Sequence, residues 1–288
     1  MKRVAILGIR SGWHCEQLHS AFQKRGVDSS FVTADNIRCA SGFENGKGCD
    51  LEDYDGIVIR GIPAGSLEQI IYRMDALYML ERRGMPFINS PKSIEKTVDK
   101  YYTTALLEEA GLPVPPTVCC EGREEDIANA LHQMGGDMVY KPIFGSCGNG
   151  LMRIRSTEDM APLIKRIAEK GSVAYLQKFI PCANSDIRAF VINGEVRAAM
   201  KRTGSDWYAN WSRGGRAEAC SLTPYEEQLA VKAAEAVNAD IAGVDIIRGD
   251  DGSTYVIEVN GCPGWQGLST VTDVDIAGEI ADLVLSKI

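Results

Sequence analysis

The chain has 288 residues, 45% of them hydrophobic and 24% charged, with 31 Lys+Arg against 39 Asp+Glu for a net charge of −8. That balance suits a globular protein of about two domains. It excludes a nucleic-acid coat or a polybasic membrane binder, both of which need cationic surface to meet phosphate.

The first ninety residues alternate strand and helix signals. Val4 to Leu7 is an aliphatic strand, Glu16 to Arg25 a helix closed by Gly26, and Phe31 to Thr33 and Gly56 to Arg60 are short strands. Ser66 and Gln69 form a capping box for a long helix that stops at Gly84, and Met85 to Asn89 is a further buried strand. This alternation predicts a doubly wound parallel sheet with helices on both faces. After Asn89-Ser90-Pro91 the pattern changes. Asp99 to Ala110 is a helix closed by Gly111, and Val139 to Ile143 and Leu151 to Ile154 are strands joined by the loop Gly145-Ser146-Cys147-Gly148-Asn149-Gly150. Ser156 to Asp159 cap a helix that ends at Gly171, and Gln177-Lys178-Phe179-Ile180-Pro181 ends another strand. Two hairpins follow from their turns: Asn193-Gly194 joins Asp186–Ile192 to Glu195–Met200, and Asp251-Gly252 joins Gly243–Ile247 to Tyr255–Asn260. Between them, Thr223-Pro224-Tyr225-Glu226 opens a helix that runs to about Asn238.

No apolar run approaches the roughly 20 residues of a membrane span. The nine cysteines contain no Cys-x-x-Cys, and the three histidines form no zincin helix. The thiols therefore read as small buried hydrophobes in a reducing, cytoplasmic setting, not as disulfides, a zinc knuckle or a nucleophile.

The second hairpin carries the clearest chemistry. A two-residue Asp251-Gly252 turn pairs Asp250 with Ser253 and sets Asp245 opposite Glu258, two carboxylates that repel unless a cation lies between them. Asn260 shares their face, and its partner Gly243 leaves room. Three hard oxygen ligands suit magnesium shared with phosphate; the competing reading puts both acids on a solvated face, paired with Arg or Lys. The glycine loop lacks the Rossmann spacing and a Walker lysine, yet can fold its N–H groups over a triphosphate. Lys141, in an apolar strand, needs an anionic partner that a nucleotide phosphate would supply.

In order, Lys100 in Asp-Lys-Tyr-Tyr, Lys141 in Tyr-Lys-Pro, the glycine loop, Gln-Lys-Phe-Ile, Ser-Asp-Ile-Arg, Asn-Trp-Ser-Arg-Gly-Gly and Glu-Val-Asn resemble the ATP-grasp enzymes, specifically the RimK-like α-L-glutamate ligases. Lys-Pro-Ile-Phe-Gly, Asp-Ile-Arg-Ala-Phe-Val and Gly-Trp-Gln-Gly-Leu-Ser are most similar to the branch that adds α-L-glutamate to tetrahydromethanopterin. The resemblance implies an α/β N-terminal domain over 1–92 and a two-lobed ATP-grasp with antiparallel sheets. Its central lobe, 93–180, carries a Gly-rich lid, and its C-terminal lobe, 181–288, the metal site.

The same resemblance implies that Lys100 and Lys141 bind phosphates, with Ser146 and Gly148 in the lid and Lys201 among the nucleotide contacts. Gln177, Lys178, Phe179 and Ile180 would form the adenine hinge, and Asp186 would hold the nucleotide side. Asp245, Glu258 and Asn260 would bind magnesium or manganese, as two ions. Arg202 and Asn210 would lie at the phosphoryl-transfer centre, and Arg188, Arg213, Gly214 and Gly215 near the acceptor. Lys178 stands where the family often has an acid, and Tyr208 where some relatives have arginine.

The implied reaction uses ATP to convert a carboxylate to an acylphosphate, which the amine of L-glutamate then attacks. A pterin-type cofactor is the implied acceptor, with a protein C-terminus or another small molecule as alternatives, in a dimer or tetramer with no nucleic-acid partner. Trp207, Tyr208, Trp211 and Trp265 either stack on the acceptor or belong to local core. A non-catalytic nucleotide-binding regulator is the competing class. A Rossmann oxidoreductase through Gly8-Ile9-Arg10-Ser11-Gly12 lacks one glycine of its motif.

Overall fold

Val4 and Ile6 project from one side of the first strand and Ala5 and Leu7 from the other, and all four are buried. Such a strand needs cover on both faces. The computed structural model describes residues 1–9, 11–42, 48–145, 148–204, 207 and 216–288. In it, β1 (Arg3–Gly8) lies inside a parallel sheet of order β2 (Asp28–Thr33), β1, β3 (Gly56–Ile59), β4 (Phe87–Ile88). Val4, Ile6, Val58 and Ile88 lie under α1 (Trp13–Lys24) and α8 (Ile276–Lys287), while Ala5, Leu7, Ile57, Ile59 and Phe87 lie under α2 (Leu67–Arg82) and α3 (Pro91–Val98). Arg25 grips Asp282 with two hydrogen bonds of 2.6 and 2.7 Å, fastening α8 to α1.

The middle of the chain contains α4 (Lys100–Glu109), β5 (Thr117–Cys120), α5 (Glu124–Gln133), β6 (Met138–Lys141), β7 (Met152–Ile154), α6 (Thr157–Lys170) and β8 (Ala174–Lys178). Its strands form an antiparallel sheet of order β5-β8-β6-β7, with α5 and α6 packed on Met138, Tyr140, Ile154 and Leu176. The strand expected over Val139 to Ile143 stops at Lys141, because Pro142 has no N–H for the ladder.

The remaining strands, β9 (Ser185–Ile192), β10 (Glu195–Thr203), β11 (Arg216–Ala219), β12 (Ile241–Arg248) and β13 (Thr254–Asn260), form an antiparallel sheet of order β11-β10-β9-β12-β13. One face, with Ile187, Ala189, Val191, Val244 and Ile246, is buried under α7 (Pro224–Ala236) and the end of α4. On the other face, Phe190, Ile192 and Ile241 join the core of the first sheet through Trp265.

Asn193 and Gly194 both have positive φ, as the expected turn between β9 and β10 requires. The turn between β12 and β13 differs from expectation. Only Gly252 has positive φ, and Gly252 N–H donates to the Gly249 carbonyl while Gly249 N–H donates to that of Ser253, so the loop has three residues. Arg248 therefore pairs with Thr254, and a bulge at Ile257 restores the register, so that Asp245 still faces Glu258.

Candidate active site

Side chains alternate along strands, so Asp186 and Arg188 on β9, Arg202 on β10, Asp245 on β12 and Glu258 and Asn260 on β13 share the sheet face opposite α7. The cation expected between the facing acids is supplied, on the Asp245 side, by the protein. Arg188 binds both oxygens of Asp245, with Nη2 at 2.8 Å from Oδ2, and Arg202 Nη2 reaches the same Oδ2 at 2.9 Å. Arg202 also grips Asp186 at 2.6 and 2.7 Å. All four groups are buried. Burial opposes the charged form of Asp245, but the guanidiniums of Arg188 and Arg202 overcome it and hold the carboxyl at about 2. Burial likewise opposes the charge on Arg202, and the carboxylates of Asp245 and Asp186 outweigh it, raising the pKa.

This acidic and basic rung forms one wall of a cleft of roughly 950 Å³, including its open mouth. The cleft runs between the two antiparallel sheets and is lined by Lys100, Lys141, Gly148, Gln177, Lys178, Phe179, Ile180, Asp186, Asp245 and Glu258, among others. Lys141 Nζ donates to Gln177 Oε1 at 2.7 Å, while Gln177 Nε2 donates to Thr117 Oγ1 and Tyr175 Oη, so the buried amide fixes the lysine from behind. Burial pushes the Lys141 ammonium below the ordinary lysine range, with Glu258 opposing and Lys100 adding to the shift. Lys100 Nζ donates to the Gly145 carbonyl at 2.5 Å, joining the start of α4 to the glycine loop.

Ten of the expected site residues thus meet at one cleft, and Arg188 and Arg202 reach it through Asp245 and Asp186. Lys201 does not join them: it neighbours buried Arg202 on β10, so its side chain leaves the opposite face and is exposed. Ser146, Asn210, Arg213, Gly214 and Gly215, and with them Tyr208 and Trp211, lie outside the described residues. Trp265 is core, only 2% exposed, edge-on to His14 and Phe190. Trp207 instead lines the cleft, with its ring against Phe179. Of the described cysteines, only Cys15 and Cys49 are buried as expected; Cys39 is exposed, the other five are part-buried, and none of the described ones forms a disulfide.

The donor set fits a hard divalent cation. Glu258 is half-buried and makes no hydrogen bond among the described residues. Among the described residues Asn260 Oδ1 accepts only the Cys262 N–H, at 2.9 Å. Asp245, with three N–H donors on two oxygens, keeps one lone-pair site of about four. Among the described residues no three His, Cys, Asp or Glu form a ready-made metal cluster. Such a site would complete its coordination with phosphate oxygens and water, as magnesium sites do.

One support of the cleft lining has no counterpart among the sequence expectations. Arg153 stacks 3.6 Å from the centre of the Phe179 ring and is fixed by two hydrogen bonds to Asp137, at 2.9 and 2.6 Å. The arginine in the apolar strand Leu151-Met152-Arg153-Ile154 was the available signal.

The family model for the RimK-like ATP-grasp domain matches residues 97–284, which include both antiparallel sheets and the whole cleft. The chain belongs to this family. It is an ATP-grasp ligase, an enzyme that forms a C–N bond. The chain is 34% identical to the tetrahydromethanopterin:alpha-L-glutamate ligase of Methanocaldococcus jannaschii, over 99% of each chain. It is 31% identical to a probable alpha-L-glutamate ligase of Aliivibrio fischeri, over 96% of this chain and 92% of the relative. Among solved structures it superposes on the ATP-grasp ligase PsnB in complex with minimal precursor, Mg and ADP with a TM-score of 0.76, at 21% identity, over 99% of this chain and 96% of that one.

Proposed function

We propose that the protein uses ATP to join L-glutamate to a carboxylate acceptor through an acylphosphate. The observation that carries this reading is the cleft itself: two lysines and glycines of the loop stand on one side, and on the other Glu258, without a hydrogen bond among the described residues, beside Asp245 and Asp186 held by two guanidiniums. The ATP polyphosphate would lie between them. Lys141, pinned by Gln177, and Lys100, tied to the loop carbonyl, would meet phosphate charge without reorganising. Glu258, Asn260 and the open site on Asp245 would hold magnesium, which when bound neutralises phosphate charge and polarises the transferring group. Arg202 and Arg188 each spend Nε and Nη2 on carboxylates, leaving Nη1 as a donor toward the acyl group. Arg153 over Phe179, with Trp207 beside it, would close the adenine end.

The relatives' names support glutamate as the amine and a tetrahydromethanopterin-type pterin as the acceptor. We read the chain as segments 1–92, 93–180 and 181–288, with α8 returning to the first of them, and as a cytoplasmic dimer or tetramer. The deciding experiment measures ADP release and product mass with ATP, magnesium and L-glutamate against a panel of pterins, peptides and small carboxylates. ADP formation that needs both glutamate and a pterin supports the full reading. A peptide-only product retains the ligase and replaces its acceptor, and no substrate-dependent ADP makes the protein a nucleotide-binding regulator.

A further inference from the structure

Arg60 follows Ile59 out of the C-terminal edge of the parallel sheet. Its guanidinium is held in place without being neutralised. Nη2 donates to the Pro263 carbonyl at 2.8 Å, and Cζ lies 4.9 Å from the centre of the Trp265 ring. Nε is enclosed and has no hydrogen-bond partner among the described residues. Among the described residues no carboxylate pairs with it. Burial pushes its pKa below the ordinary arginine value, and among the described residues the thiols of Cys262 and Cys15 oppose that shift. Neighbouring His14 adds no charge at neutral pH. Its own burial and the Arg60 charge hold it at about 4, and its Nε2 accepts the Trp265 N–H.

A desolvated cation without a counter-ion lowers stability, and such an arrangement is retained where a ligand supplies the missing charge. The position of Arg60 says which ligand. Pro263 lies three residues beyond Asn260, at the metal end of the cleft. A Cβ on Gly243 would sit 2.8 Å from Arg188 Nη1 and 2.9 Å from Pro263 Cβ, so Arg188 and Pro263 converge over that glycine, and Arg60 holds the carbonyl of the same proline. Arg60 thus extends the cationic face from the cleft toward the C-terminal ends of β1 and β3, the edge where open α/β sheets bind ligands. Among the described residues Arg60 Nη1 makes no hydrogen bond, and Nη2 keeps one of its two protons. That pair presents the end-on fork that fits two oxygens of a carboxylate.

We propose that Arg60 anchors a second anion subsite, outside the nucleotide cleft, that takes a carboxylate of one of the substrates being joined. It rests on the ligase reading above, because that reaction brings two carboxylate-bearing molecules to this end of the cleft. The carboxylate belongs either to the incoming amino acid or to the acceptor, and two probes separate these sources. L-glutamate carries the nucleophilic amine, whereas N-acetyl-L-glutamate keeps both carboxylates and lacks it.

The test is calorimetric titration of the full-length protein, with magnesium-ATP titrated in parallel. At least one probe should bind the wild type and bind Arg60→Met about tenfold or more weakly, with Arg60→Lys between the two and ATP affinity unchanged. Loss confined to L-glutamate assigns the amino-acid side, and loss of N-acetyl-L-glutamate the acceptor side. Arg60→Met should also melt at or above the wild-type temperature, since it removes an uncompensated charge. The proposal is overturned if neither probe binds the wild type or if both bind Arg60→Met equally well. It is also overturned if the melting temperature falls together with ATP affinity, which would make Arg60 a scaffold residue. Absence of any glutamate-dependent ADP formation alongside intact Arg60-dependent binding would remove the ligase reading and leave the subsite.

Discussion

Asn89 pairs with Ile241 as an additional strand would: its Nδ2 donates to the Ile241 carbonyl at 2.6 Å and its Oδ1 accepts the Ile241 N–H at 2.8 Å. The same Nδ2 reaches the Gly261 carbonyl at 2.6 Å. One buried amide thus joins the edge of the parallel sheet to the strands that carry Asp245 and Asn260. Asn89→Ala leaves three buried backbone groups without partners and should cost about 3 kcal/mol or more, read from urea unfolding midpoints at constant m-value. An unchanged midpoint would mean that water replaces the amide.

Among the described residues, Glu258 is the acid on this sheet face that no guanidinium neutralises. Glu258→Gln keeps the shape and removes the charge, so the melting temperature should hold while magnesium-dependent ADP formation falls by roughly a hundredfold or more. Wild-type turnover in that variant would rule out a metal role for Glu258.

Arg202 serves two acids and Asp186 one arginine, and this asymmetry is measurable. Arg202→Met strands Asp186 in a buried site, with an expected loss of about 3–5 kcal/mol. Asp186→Asn leaves Arg202 with Asp245 and should cost less. Comparison of the two unfolding curves checks the order, and the reverse order would show that Asp245 alone does not retain Arg202.

Acid sensitivity should arise first at His14. Its folded pKa of about 4 lies below the ordinary histidine value of 6.5, so protons favour the unfolded chain. The corresponding stability is fully present above pH 6.5 and is lost as the pH falls through that window toward 4. Asp245, held at about 2, begins to contribute only below its unbound value of 3.8. His14→Gln, which keeps an acceptor for the Trp265 N–H, should flatten the stability profile between pH 6.5 and 4. A slope equal to the wild type's would assign the loss elsewhere.

The pairing of Asp245 with Glu258 was legible in the sequence, though by a partly mistaken route. A three-residue loop replaces the two-residue turn, and the bulge at Ile257 cancels the shift. Helix α3 had a readable signal that went unused, Ser90 accepting from Ser93 N–H with Pro91 behind it. Strand β5 is short, α5 has no side-chain cap at Arg123, and α8 is apolar on almost every side because it is buried on several, so none of these shows a sharp period. The guanidiniums on Asp245, the stacking of Arg153 and the contacts of Arg60 with Pro263 and Trp265 depend on residues far apart in the chain, which spacing alone cannot join. Lys201 was misplaced by a rule that applies locally, since it alternates with Arg202.

The return of α8 to the first sheet bears on how the protein is made. Val4, Ile6, Val58 and Ile88 leave the ribosome well before part of their cover, Ile280, Ala281 and Val284. Until then the amino-terminal sheet has α1 on that face and an apolar strip beside it open to water. Vectorial synthesis therefore favours completion of the two antiparallel sheets before the first one closes, and a chaperone that protects nascent apolar surface would act on that strip.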